Sequence, residues 1–423
     1  MKLNLQPIKL LFLVLTATIL IYSCNEKTPE VAEFRGPDRS GIYKASGLMK
    51  SWPDSGLNKV FYLNDIGPGY GSPVASGEQL YFTGAKDSTA VLYCADLNSE
   101  LQWELELGPE WLVNYPGSRS APTVADNLIY VGTGLGNLYC VNKNTQVIQW
   151  SKSLNDDFGG ILPRFGHSEA PVIYKDKVFW TAGGKKHNIV AINRFTGELL
   201  WSSKAKGERS GYNQPIVISA QNGRNIFVTF TAYHLLGLDV ETGTLLWSHE
   251  QDNYPPEEHK PGIGDTHANT VIYKEGLMYY VAGDGNCAVK LALSPDGTEI
   301  TEVWRNKDFD SYMSGVVKIG NYLYASGTAK PQLLSLDVNS GLLIDSLKLG
   351  RGVVIAADDM LYYYSHRNII HLISINNGKM KSVSSHKITK GTGEPFSHPL
   401  IHEKVLYVRR GDALMGFDLS QKE

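Results

Sequence analysis

Asn193-Arg194-Phe195-Thr196-Gly197-Glu198-Leu199-Leu200-Trp201 and Asp239-Val240-Glu241-Thr242-Gly243-Thr244-Leu245-Leu246-Trp247 are one phrase written twice: a turn closed by glycine, two leucines, then tryptophan. Leu97-Asn98-Ser99-Glu100-Leu101-Gln102-Trp103 is a looser copy, and Trp150 and Trp304 mark two more. The five tryptophans stand 47, 51, 46 and 57 residues apart. A sixth copy, Leu336-Asp337-Val338-Asn339-Ser340-Gly341-Leu342-Leu343-Ile344-Asp345, keeps the turn and puts aspartate where the indole would be. The intervals are filled with short alternating strands, and a strand-built repeat of roughly 40–50 residues predicts four-stranded blades set around a ring. An indole at a fixed place after a glycine turn predicts packing onto the next blade, worth roughly 1.5–3 kcal/mol per site. Asp345 and Ser382 occupy that place in two units, which predicts a looser ring over residues 340–390.

Working outward, each unit opens on a short polar phrase, usually ending in proline. These are Gly71-Ser72-Pro73, Ser120-Ala121-Pro122, Glu169-Ala170-Pro171, Asn213-Gln214-Pro215, His267-Ala268-Asn269, Met313-Ser314-Gly315, Arg351-Gly352-Val353 and Ser397-His398-Pro399. The eighth opening is followed by only two clear further strands, and an orphan strand, Lys59-Val60-Phe61-Tyr62-Leu63, precedes the first opening. Donating it to the last blade would close the ring and hide two edges. The expectation is therefore an all-β, eight-bladed propeller of four-stranded antiparallel blades over 57–423, closed by an N-terminal strand.

Residues 1–23 carry Lys2 and Lys9 and an apolar run from Leu10 to Ile21, too short to span a bilayer. The run ends Tyr22-Ser23-Cys24, which resembles a lipoprotein signal with Cys24 as the lipidated residue. Residues 24–56 then serve as a tether carrying the segment Phe34-Arg35-Gly36-Pro37-Asp38-Arg39-Ser40-Gly41-Ile42. The expected location is the cell envelope, on the periplasmic or surface side of a bacterial membrane, held by the lipid alone. Removing 1–23 takes the net charge from −3 to −5, so nothing points to nucleic acid. Cys94 and Cys140 sit at matching places in adjacent units; they could bridge, or could simply be small buried residues.

The loops leading into the openings are the longest in the chain: 108–119, 155–168 and 248–266. They carry Trp111, Tyr115, Arg119, Phe158, Arg164, Phe165, His167, Tyr254, His259 and Asp265. Long loops on a rigid scaffold are where binding is normally placed. Ser120, Glu169, Asn213, His267 and Ser397 are expected around the channel mouth, with Glu394 and His398 nearby. Tyr212 and Tyr312 would add to a mixed aromatic and polar surface of the kind that holds peptides or sugars. Glu169, Asn213 and Asp265, at successive blade openings, are suitable ligand types for calcium. No carboxylate pair stands out for glycan cleavage, and Gly132-Thr133-Gly134-Leu135-Gly136 lies in a strand turn with no helix to cradle phosphate.

The turn-glycine-tryptophan phrase, the Ser/Pro openings and the Phe34–Ile42 segment resemble the family of pyrroloquinoline-quinone (PQQ)-like propeller repeats, in its lipoprotein branch. That family includes quinoprotein dehydrogenases and also non-catalytic lipoproteins such as the propeller of the outer-membrane protein assembly machine. The resemblance implies a binding scaffold with no cofactor, whose partner is an envelope protein, a peptide or a glycan. Its alternative implication is a PQQ- and calcium-dependent dehydrogenase of alcohols or sugars. There Glu169, Asn213 and Asp265 would hold the calcium, Asp265 also being a candidate base, and Arg119 or Arg164 would support the quinone. Against the alternative, the chain has no adjacent cysteine pair and no C-x-x-C-H haem attachment sequence.

Overall fold

The computed structural model describes residues 29–250, 256–260, 265–283, 287–311, 313 and 315–421. Residues 1–23, Cys24, Tyr254 and Tyr312 lie outside these. Eight antiparallel sheets follow one another along the chain, at residues 74–109, 123–153, 172–203, 216–250, 272–306, 317–347, 352–387 and 400–418; they are blades 1 to 8. Lys59–Leu63 pairs with Ala413–Asp418 as the outer strand of blade 8, so the ring closes as expected. No helix among the described residues is long and apolar enough to cross a membrane.

The repeated phrase is an inter-blade joint. The Trp150 indole donates to Arg194 O at 3.0 Å, Trp201 to Val240 O at 3.0 Å and Trp304 to Val338 O at 2.9 Å, each acceptor being in the next blade. Each indole also lies against the turn glycine of that next blade. A Cβ on Gly197 would sit 2.7 Å from Trp150, and one on Gly243 would sit 2.4 Å from Trp201. Glycine and tryptophan are thus the two halves of one contact, contributed by neighbouring repeats.

In blades 1 to 7 the pairing of third and fourth strands slips by one residue just beside the marker position, which in blade 7 falls at Ser384 rather than Ser382. The residue opposite the indole is usually small: Cys94, Cys140, Ala191 and Gly237 face Trp103, Trp150, Trp201 and Trp247. That explains both cysteines, which are buried and unbridged. Where blade 6 has Asp345, the carboxylate accepts from Met380 N of blade 7 at 2.8 Å. Donor and acceptor exchange roles while the joint persists, and Tyr362, Tyr363 and Tyr364 are fully buried behind it. The expectation of a loose ring over 340–390 thus meets a joint that is rebuilt rather than missing.

The stretch read as a tether is built into the ring from Val31 onward. Val31–Ala32 adds a strand to the inner edge of blade 2, and Ile42–Tyr43 pairs in parallel with the inner strand of blade 7. Trp52 then packs near Tyr362 on the way to the closing strand.

Candidate functional site

Between its two strand pairings, the N-terminal segment crosses the central channel and stoppers it. The turn is tight: Arg35, Gly36, Asp38, Arg39 and Gly41 all have left-handed φ values between 51° and 71°. For the non-glycine residues this costs roughly 1–2 kcal/mol each, so the surroundings must impose it. They do so through two buried guanidinium groups. Arg39 pairs with Glu33 at 2.7 Å and donates to Ala170 O and Pro171 O at 2.9 and 2.7 Å.

Arg35 donates to Val354 O at 3.0 Å, Val316 O at 2.9 Å and Ser40 O at 3.2 Å, and to His398 Nδ1 at 2.9 Å. Space for it is made by two glycines. A Cβ on Gly41 or Gly315 would fall 2.1 or 1.7 Å from a guanidinium nitrogen, and both have positive φ. Phe34 packs with Val74, Ala121 and Ala170 from blade 1 and the openings of blades 2 and 3. One short segment therefore binds the inner edges of most of the ring.

Above this stopper lies a blind cavity of about 420 Å³, open on the face bearing the long loops. Its size is that of a small-ligand pocket, for which roughly 300–1,000 Å³ is usual. Phe34 and His398 form part of the floor. A belt of rings forms much of the wall: Tyr212 beside Phe165 at 5.9 Å, Phe165 beside Tyr115 at 6.2 Å, and Tyr115 beside Tyr70 and Phe396 at 6.4 and 5.8 Å. Arg119 and Arg351 complete it.

The openings explain who reaches the cavity. A residue before proline is held extended, so successive side chains point to opposite sides. One position before the proline, Ser72, Ala121, Gln214 and His398 face the channel, and so does Ala268 at the matching place; three positions before it, Tyr70, Arg119, Ser168, Tyr212 and Phe396 do so, with Thr266 their counterpart. Two positions before it, the chain faces into the blades. Ser120, Glu169, Asn213, His267 and Ser397 occupy that parity and are at most 2% exposed. The expectation that they ring the mouth was off by one residue, which in an extended strand reverses the side.

The other predicted residues divide accordingly. Tyr115, Arg119, Tyr212 and His398 line the cavity. Trp111 is buried with its indole donating to Asn114 O at 2.9 Å, and Arg164 lies over the Phe165 ring. His167 is fully buried and stacked on Trp180 at 4.5 Å; burial pulls its pKa down to about 4. His267 Nε2 lies 3.0 Å from Ala232 O inside the fold. Glu394 and His259 do not line the cavity. Phe34, Tyr70, Ser168, Gln214, Arg351 and Phe396 were not foreseen; consistent parity counting from each opening would have found most of them.

The calcium set does not assemble. Glu169 Oε1 accepts from Thr181 N at 3.0 Å, and burial pushes its pKa up to about 7. The Asn213 amide, oriented so that both ends are satisfied, bridges Phe230 N and O at 3.1 and 3.0 Å. Asp265 is ion-paired to Arg209 at 2.5 Å. Each is thus held by a protein partner of its own, Thr181, Phe230 or Arg209, rather than left open for a metal. A hard cation needs six to eight oxygens around one point, so these residues do not fit the calcium of a quinoprotein. Of the arginines proposed for the quinone, Arg119 donates to the carbonyls of Phe165, Tyr115 and Gly117, and Arg164 lies over the Phe165 ring.

His398 has one definite tautomer. Guanidinium can only donate, so Nδ1 accepts from Arg35 and the Nε2 proton faces Met313 O at 3.2 Å. Burial, with Arg35 adding to it, holds its pKa well below the usual value and keeps it neutral. Behind Arg119, Glu110 accepts from Trp111 N and Gly134 N at 2.7 and 2.6 Å, and burial pushes its pKa up to about 7.

Comparison with known proteins bears on the fold. The crystal structure of BamB from Moraxella catarrhalis superposes with a TM-score of 0.61 at 12% identity, covering 86% of this chain and 99% of that one. The quinohemoprotein alcohol dehydrogenase ADHIIG of Pseudomonas putida HK5 gives 0.60 at 10% identity, covering 93% and 80%. At such identities the likeness is one of fold. Among curated sequences, the quinoprotein alcohol dehydrogenase PedH of Pseudomonas putida is 25% identical over 241 residues, 53% of this chain and 36% of that one. The quinoprotein ethanol dehydrogenase of Pseudomonas aeruginosa is 26% identical over 160 residues, 34% and 25%. The chain thus spans about a third and a quarter of these relatives. Residues 87–344, well over half of the sequence, match the model of one family, and the chain belongs to it: the PQQ-like propeller family described as outer membrane protein assembly factor BamB.

Proposed function

We propose that this protein is a lipid-anchored propeller of the bacterial envelope that binds a partner polypeptide in its blind central cavity without transforming it. The observation that carries this reading is the stoppered channel: its own N-terminal segment turns a pore into an aromatic-walled pocket on the long-loop face. The described lining residues include no carboxylate and no thiol, and the one histidine is neutral with both nitrogens engaged. Such a wall offers contact area and little acid–base chemistry. Tyr115 is 46% exposed, and the loops that supply Tyr115 and Phe165 also expose Leu112, Val113 and Ile161 at 44, 77 and 51%. A small substrate would leave that rim uncovered, whereas a polypeptide would bury it.

The membership of a family named for an assembly factor supports the envelope setting. Titrating purified protein with PQQ and calcium, while following quinone absorbance and dye reduction, should give neither stoichiometric binding nor turnover. A tight one-to-one complex that reduces dye would overturn the reading. For the anchor, Cys24→Ala should release the protein from membranes; retention there would refute lipidation.

A further inference from the structure

Three guanidinium groups surround the cavity, and among the described residues none has a carboxylate in ion-pair contact. Arg35 lies beneath the floor, fully buried, its hydrogen bonds going to carbonyl oxygens and the neutral His398. Arg119 stands in the wall, held by carbonyls, with its Nε buried and unpartnered. Arg351, exposed at the rim, places Nε and Nη2 at 3.1 and 2.9 Å from a single carbonyl, Thr328 O. Carbonyl oxygens satisfy the donors without cancelling the charge. The carboxyl behind Arg119, Glu110, is pushed up by burial to about 7, so near neutral pH it offsets only part of that charge. In a recess partly shut off from water these charges reinforce one another; with Glu394, which acts on Tyr70 and His366, as the opposing carboxylate, cationic groups still outnumber anionic ones around the pocket although the chain as a whole is weakly acidic.

The wall between the cations is aromatic, from Tyr212 through Phe165 and Tyr115 to Tyr70 and Phe396. Rings arranged edge to face accept another ring readily, while the guanidinium groups call for an anion next to it. We propose that the cavity receives an aromatic side chain with a carboxylate beside it, presented by an acidic segment of the partner polypeptide. The ring enters the aromatic belt and the carboxylate meets Arg351 at the rim. This inference rests on the reading of the cavity as a polypeptide-binding site and specifies what that site selects.

Fluorescence anisotropy of labelled peptides on the intact protein tests it. Four short probes suffice: an internal Asp-Trp, the same peptide with Asn-Trp, the same with Lys-Trp, and one ending in Trp with a free carboxylate and no aspartate. The Asp-Trp probe should bind saturably and about tenfold or more tighter than the Asn-Trp and Lys-Trp probes. Arg351→Gln, at an exposed position and checked for folding by circular dichroism, should erase that preference, bringing the Asp-Trp affinity down to about that of the Asn-Trp probe. If the free-carboxylate probe matches Asp-Trp, the anion can come from a chain end; if it does not, the anion is a side chain within the segment. Equal affinity for the Asp, Asn and Lys probes, a preference untouched by Arg351→Gln, or no saturable binding would overturn the inference. Cross-linking of a partner at the cavity with no peptide bound would reject this chemistry alone; loss of both would reject the binding site as well.

Discussion

Glu110 shows how a single side chain supports the cavity wall. Its carboxyl holds Trp111 N and Gly134 N, while Oε2 is buried without a partner. Because burial raises its pKa to about 7, the folded protein keeps a proton that the unfolded chain releases near the ordinary value of 4.5. Its contribution to stability is therefore full below 4.5 and is lost as pH rises through 7. Glu110→Gln stays neutral throughout, so the stability difference between wild type and variant should move by on the order of 2–3 kcal/mol in the variant's favour from pH 4.5 to 8. Urea unfolding at a series of pH values measures this, and identical pH dependence in the two proteins would contradict it. His167 acts in the opposite sense: neutral in the fold with a pKa of about 4, its contribution is full above 6.5 and lost as pH falls toward 4. At this scale the sequence was half legible. Position in or beside the entry loops points to Tyr115, Arg119, Tyr212 and His398, whereas the polar character of Glu169, Asn213 and His267 points to the channel and strand parity turns them into the blades.

The element that repeats is the joint between blades, and it makes a graded prediction. Trp150 is 9% exposed, donates to Arg194 O and packs against Gly197. Trp150→Ala removes a buried ring and should cost about 3–5 kcal/mol. Asp345 makes its joint through one accepted hydrogen bond from Met380 N, so Asp345→Ala should cost about 1–2 kcal/mol. Denaturation midpoints of the two variants measure the difference; equal losses would contradict the account of the joint. This layer was legible because it is local and repeated: turn glycine, indole and small facing residue recur at fixed spacing. The hydrogen-bonding role of Asp345 was not, since its partner lies in the next repeat, 35 residues away.

For the whole molecule, strand counting alone predicted eight blades and the closing strand Lys59–Leu63. The stopper was hidden because its partners are carbonyls at Val316, Val354, Ala170 and Pro171, and backbone groups leave no mark on a sequence. It was nonetheless the segment that set this chain apart from a bare ring of repeats. The ring positions the long loops, and the stopper turns what they surround into a pocket. The most direct measurement is photo-cross-linking in cells from a reactive residue placed at Tyr115, on the cavity wall, compared with one at Phe195, an exposed turn position in blade 3. The account predicts a discrete polypeptide adduct from position 115 and none of that species from 195. An adduct from 195 alone, with position 115 unreacted, would contradict it.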